Sequence, residues 1–170
     1  MKIGKQGYSL VAAVVCGSLF AISHAWADSM DCSGTKKSKD RPYTEDIRPG
    51  DHPDHVMRQA IRIHVISSKD ADFDGSEQTV FAHEDYYANA GTSVGYFLYT
   101  LKSGDKIWAR FDSVASTIST QGSWEATYQG AFRFIAGTGK FSGIRGGGHY
   151  EGKVTPGAGF VENFTCSAQY

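Results

Sequence analysis

Trp124-Glu-Ala-Thr-Tyr-Gln-Gly-Ala-Phe-Arg-Phe-Ile135 alternates strictly along its length. Trp124, Ala126, Tyr128, Gly130, Phe132 and Phe134 fall on one side, and Glu125, Thr127, Gln129 and Arg133 on the other. A sustained period of two is the signature of a strand that buries one face. The same pattern recurs on both sides. Ile61, Ile63 and Val65 alternate with Arg62, His64 and Ile66, and further strands are expected over 79–87, 94–101 and 107–112. Ser113 to Thr120 reads as a strand or a bend, and Phe141 to Arg145, His149 to Val154 and Phe160 to Ser167 complete about eight strands. Turn signals such as Ser103-Gly104-Asp105 separate them. Many short, evenly spaced antiparallel strands make a sandwich or a barrel, and closure removes the aggregation-prone edges. A short helical turn around His55 to Gln59 is the one helix-period segment.

The N-terminus has a different character. Lys2 and Lys5 precede an uncharged stretch from Gln6 to His24, and Ala25-Trp26-Ala27 follows. A basic start, an apolar centre and an A-x-A end form a bacterial-type secretory signal over residues 1–27. Removing those 27 residues from 170 leaves 143, enough for one domain with a real core. The mature product is expected to be exported to the periplasm or the extracellular space, without a membrane segment. It keeps only two leucines, Leu98 and Leu101, beside many β-branched, aromatic and glycine residues, which is a β composition. Without Lys2 and Lys5, 15 of the 17 basic residues stand against 18 acidic ones, a net charge of −3, so nucleic acid is not an expected partner. Residues 28–55 are polar, carry Pro42, Pro49 and Pro53, and read as an extended N-terminal arm ahead of a barrel domain over 56–170.

Cys16 lies inside the signal, which leaves Cys32 and Cys166 near the two ends of the domain. In an oxidising compartment this pair is expected to form a disulfide.

The stretch from Gly122 to Gly152 contains Gly137-Thr-Gly-Lys-Phe141, then Gly143, Arg145 and Gly146. It resembles the Gly-Thr-Gly-x-Phe-x-Gly-x-x-Gly hairpin of the allene oxide cyclase and dirigent superfamily. The resemblance implies an all-β, eight-stranded antiparallel barrel, calycin-like, with an apolar cavity, commonly assembled as a homotrimer. It also implies one site residue, Arg145, which matches the arginine after the glycine hairpin in dirigents. On the family pattern the cavity takes a small hydrophobic or phenolic ligand, or supports a cyclase or isomerase reaction without a cofactor. A structural or stress-related protein with a filled barrel is the third expectation.

Candidate polar anchors come from the strands. Trp108, Arg110 and Asp112 share a face opposite Ile107, Ala109 and Phe111. If that polar face lines the interior, an Arg–Asp pair beside an indole holds a polar ligand end; otherwise it is an outward salt bridge. Glu125 is a second candidate carboxylate. Arg145 is expected to share the inward face of Phe141 and to need Glu125, Asp112 or Glu162 as partner. His83, Glu84 and Asp85 crowd one strand, as a charged edge or a site. Asp70-Ala-Asp-Phe-Asp-Gly75 opens like a calcium loop, but the twelfth position is Phe81 and no bidentate glutamate follows, so a solvated turn is expected. His52, Asp54 and His55 lack a second ligand cluster, and no metal site is assigned. Gly137-Thr-Gly-Lys140 has Phe141 where a phosphate loop needs a hydroxyl, and no Gly-x-Ser-x-Gly elbow marks a nucleophile.

Overall fold

The computed structural model describes residues 28–120, 123–155 and 159–170; the expected signal segment lies outside them. Nine strands follow in chain order: β1 (Ser29–Asp31), β2 (Gly34–Ile47), β3 (His55–Ser68), β4 (Glu77–Tyr87), β5 (Ala90–Thr100), β6 (Lys106–Thr120), β7 (Ser123–Gly137), β8 (Arg145–Thr155) and β9 (Gly159–Gln169). A single 3₁₀ turn, Gly139–Phe141, sits between β7 and β8. From β2 to β9 each strand pairs antiparallel with the next, and β9 also pairs with β2. The result is a closed, up-and-down, eight-stranded barrel, with β1 continuing the line of β2 along the edge of β9. Closure satisfies the edges that an open sheet would expose.

Alternation decides what goes inside. On β7, Phe132 and Phe134 are buried while Thr127, Gln129 and Arg133 are exposed, as their spacing predicts. On β6 the apolar face is the inner one: Ile107, Ala109 and Phe111 are buried. Two glycines make room for tyrosines across this inner surface. Gly130 faces Tyr150 in register, where a Cβ would come within 2.6 Å of the hydroxyl, and Gly152 faces Tyr128, whose ring a Cβ would overlap. Pairing large with smallest lets the rings cross the lumen.

Three sequence expectations need correction, and one open alternative is resolved. The stretch 28–55 is not an arm outside the barrel, because β2 supplies a wall strand between β3 and β9. Its burial pattern is nearly all exposed beyond Lys36, so the sequence carries no alternating apolar face there. Its place comes from the ladders on either side. His55 to Gln59 forms the start of β3 rather than a helix, and of the two alternatives for Ser113 to Thr120 the strand is the one observed, as the second half of β6. Phe141 to Arg145 is not a strand: Phe141 ends the 3₁₀ turn and β8 begins at Arg145. In that hairpin Gly139 takes φ +56°, whereas Gly137 is required for its close approach to the Phe141 carbonyl.

The core fills one end of the lumen. Phe73, from the loop between β3 and β4, and Phe141, from the 3₁₀ turn, plug it together with Tyr99, Leu101, Ile107 and Phe134. Phe73 packs on Tyr99 at 4.9 Å between ring centres. The acidic loop around Phe73 is tied down by Lys140 to Asp72 at 2.6 Å and Lys102 to Asp74 at 3.7 Å. Asp70 accepts the backbone N–H groups of Asp72 and Phe73. Cys32 and Cys166 are bonded at this end, with Cα atoms 5.2 Å apart and a sequence separation of 134. The chain therefore begins and ends its barrel at one covalent staple.

Candidate functional site

The opposite end of the lumen is open. A cavity of about 340 Å³ lies there among side chains of all eight barrel strands, β2 to β9. Phe97, Phe111, Tyr150, Tyr128 and Phe160 form its aromatic wall. Phe97 and Phe111 stack at 4.3 Å, and Tyr128 stacks on Phe160 at 5.8 Å. The small inward residues Ser113, Ala115, Thr117 and Ala126 near this end leave the space unfilled.

Polar groups enter the cavity as cross-strand pairs set by register. Arg58 is directly opposite Asp46 on one side and Glu84 on the other. It binds Asp46 through Nε at 2.6 Å and Nη2 at 2.9 Å, and lies 3.9 Å from Glu84. Arg62 clasps Glu84 with both terminal nitrogens, at 2.6 and 2.9 Å, in the bidentate geometry that gives arginine–carboxylate pairs their strength. Arg41 joins these residues at the rim. Deeper in, His64 faces Gln78 in register and contacts its Oε1 at 3.2 Å, while its ring stacks on Phe160 at 4.5 Å. Burial, reinforced by the Lys36 charge, pushes the His64 pKa down to about 3, so this imidazole is neutral. Burial also raises the phenols: Tyr86 to about 12, with Tyr128 and Tyr150 higher still.

The floor is Glu162, buried and directly opposite Lys36 across the β2–β9 ladder. The two form an ion pair in which neither side chain is solvent-exposed. Three aromatic rings surround the ammonium: Phe97 at 4.6 Å, Phe164 at 5.1 Å and Tyr150 at 5.3 Å from Nζ to ring centre. Burial lowers the Lys36 pKa, and the carboxylate beside it works against that shift. Lys36 Nζ is in direct contact with a Glu162 oxygen, and the buried Tyr128 hydroxyl lies beside the same carboxylate.

None of the candidate ligand anchors Trp108, Arg110, Asp112, Glu125 and Arg145 lies in this cavity, whereas Glu84 of the charged trio and Glu162, named only as a partner for Arg145, do. Arg110 and Asp112 are exposed on the outside of β6, and Trp108 is half-buried on that same outer face. Interior space on that strand goes to the apolar set. Glu125 pairs with Lys153 on the outside of the β7–β8 hairpin. Arg145 is exposed at the plugged end, opposite Gln169. The intervening 3₁₀ turn breaks the period of two that would have put it on the face of Phe141. His83 and Asp85 also face outward, and only Glu84 of that trio points in. Asp85 and Asp51 instead bracket His55, at 3.0 and 2.6 Å. Among the described residues no three histidine, cysteine or acidic side chains gather as metal ligands.

Lys36, Glu162, Arg62, His64 and Glu84 were the residues to find. Arg62 and His64 were legible as the polar alternate face of the first strong strand. Lys36 sits in a run of charges, and nothing local separates it from Lys37.

No protein-family model and no curated protein matches the chain. Among solved structures it is similar to the conserved protein of unknown function RPA1785 from Rhodopseudomonas palustris, with 10% identity and a TM-score of 0.44, over 85% of this chain and 98% of that one.

Proposed function

We propose that this protein is an exported barrel that binds a small, largely apolar or phenolic ligand in the open end of its lumen. The observation that carries this is the 340 Å³ cavity with an aromatic wall and a few convergent polar groups, the usual construction of a small-molecule site. A filled barrel describes only the plugged end. Export is supported by the signal-like N-terminus and by a disulfide suited to an oxidising compartment. The homotrimer implied by the family resemblance belongs to the same proposal, and sedimentation of the mature protein tests it.

A cyclase or isomerase is the second reading. It is favoured by one observation, that Glu162 and the Tyr128 hydroxyl face the same space, since only catalysis needs ionisable groups converging on a ligand. Binding is tested by titrating the fluorescent probe anilinonaphthalene sulfonate, with benzyl alcohol as competitor. Ala126→Phe places a ring in the cavity and is expected to abolish probe binding while circular dichroism shows the barrel intact. Equal binding by that variant would overturn the assignment of the site.

A further inference from the structure

The cavity reading makes no use of the Lys36 amine. This nitrogen lies one side chain behind the cavity, because Glu162, Phe97 and Tyr150 all line the space and all contact its surroundings. Among the described residues it is the one lysine inside the barrel; Lys37, Lys39, Lys69, Lys102, Lys106, Lys140 and Lys153 are exposed. Its position is built for a cation. Three ring faces and a carboxylate surround it, and aromatic faces attract cations most strongly where water is excluded.

We propose that Lys36 is a covalent site for small apolar aldehydes, forming an iminium in the aromatic cage with Glu162 as counter-ion and proton carrier. The proposal rests on the cavity reading, since the aldehyde reaches Nζ through the open end. In the first step the Lys36 ammonium passes a proton to Glu162, leaving a neutral amine and a neutral acid. The amine lone pair then adds to the carbonyl carbon. A C–N bond forms, the carbonyl π electrons move to oxygen, and one N–H proton transfers to that oxygen to give the carbinolamine. Glu162 returns its proton to the hydroxyl, the C–O bond breaks, and water leaves. The products are the iminium, the Glu162 carboxylate and one water, with the same net charge as the starting pair.

The geometry favours this over a purely structural pair in two respects. Proton exchange inside the pair turns two buried charges into two neutral groups, and exclusion of water, which disfavours the charged forms, helps to free the amine without any proton leaving the site. The iminium is itself a cation at the same nitrogen, so cage and counter-ion serve the product as they serve the reactant. The apolar wall and the cavity volume select a flat, uncharged aldehyde over a sugar.

The test is to incubate the full-length disulfide-bonded protein with benzaldehyde and sodium cyanoborohydride, which reduces the iminium to a stable benzylamine, and to map the label by peptide mass spectrometry. Lys36 is expected to carry label ahead of every exposed lysine, and Lys36→Met to lose it. Glu162→Gln is expected to slow labelling by roughly 10²-fold, the scale of general acid–base assistance. The wild-type map needs no variant to fold. Benzyl alcohol has the same ring but cannot condense, so it should protect Lys36. Its own chemical-shift perturbations at cavity residues test the binding reading separately. Label confined to exposed lysines would overturn the proposal, and would leave the cavity reading standing wherever benzyl alcohol still perturbs the cavity. Labelling of Lys36 that benzyl alcohol does not reduce would overturn the route through the open end.

Discussion

The two ends of the lumen are built on opposite principles. At the plugged end, Phe73, Tyr99, Phe134 and Phe141 fill the space with interlocking rings, and the Cys32–Cys166 bond closes the seam. At the open end the same strands place small residues inward, and the polar groups that enter are held in pairs: Arg58 with Asp46, Arg62 with Glu84, Lys36 with Glu162. Apolar packing is favourable without any partner of defined geometry, so the plugged end carries the stability. Buried ion pairs return little net stability because desolvation offsets their attraction, so the open end is a cost that function would have to justify. The lesson is a division of labour along one barrel axis, with the rigid end supporting the end that keeps a space.

The largest expected effect comes from breaking the staple. Replacing Cys32 and Cys166 by serine releases a 134-residue span, for which chain entropy gives about 5 kcal/mol. Denaturant melts should show that loss, and a change below about 1 kcal/mol would mean that the plug holds without the bond.

Removing one charge at the floor comes next. Glu162→Gln should cost about 3–5 kcal/mol, because it leaves Lys36 buried and uncompensated. The double change Lys36→Met with Glu162→Leu removes both charges and should recover most of that loss in the same melts. If the single and double variants are equally unstable, the pair is not acting as a buried ion pair.

Acid provides a smaller and graded test. The His64 pKa is depressed to about 3 in the fold, against ~6.5 in the unfolded chain. As pH falls below the unfolded value, the unfolded state takes up a proton that the native state refuses. Stability should therefore fall by about 1.4 kcal/mol per pH unit across that window. His64→Gln should flatten the loss between roughly pH 6 and pH 4. His55 titrates in the opposite sense. Its hydrogen bond to Asp51, and then that to Asp85, raises its pKa, so its contribution is present below the unfolded value and is lost as pH rises through the folded one. Melts of His64→Gln and His55→Gln against pH separate the signs.

The smallest effects belong to the outer surface. Arg145→Ala and Arg110→Ala should each change stability by no more than about 0.5 kcal/mol and leave probe binding untouched. A large loss of binding in either would move the site away from the open end.

Much of the wall was legible locally. The alternation through Glu125 to Ile135 assigned the faces of this part of β7 correctly, and the cysteine count anticipated the staple. The site was not legible, for a reason visible in particular residues. Strand periodicity says which residues share a face but not which face turns inward, so both the polar set Trp108, Arg110 and Asp112 and the apolar set Ile107, Ala109 and Phe111 stayed candidates for the interior until closure chose the apolar one. Arg145 was misplaced because three residues of 3₁₀ turn reset the count.

The amino-acid sequence by itself determined the strand content, the length of the alternating segments, the glycine hairpin and the two cysteines that meet, since each depends on neighbours within a few residues or on covalent chemistry. Only the tertiary structure decided that Phe73 leaves an acidic loop to plug the lumen, and that Lys36 leaves a run of surface charges to face Glu162. Both depend on register between strands far apart in the chain, and a ladder register is set by the sum of all its pairings rather than by any residue in it.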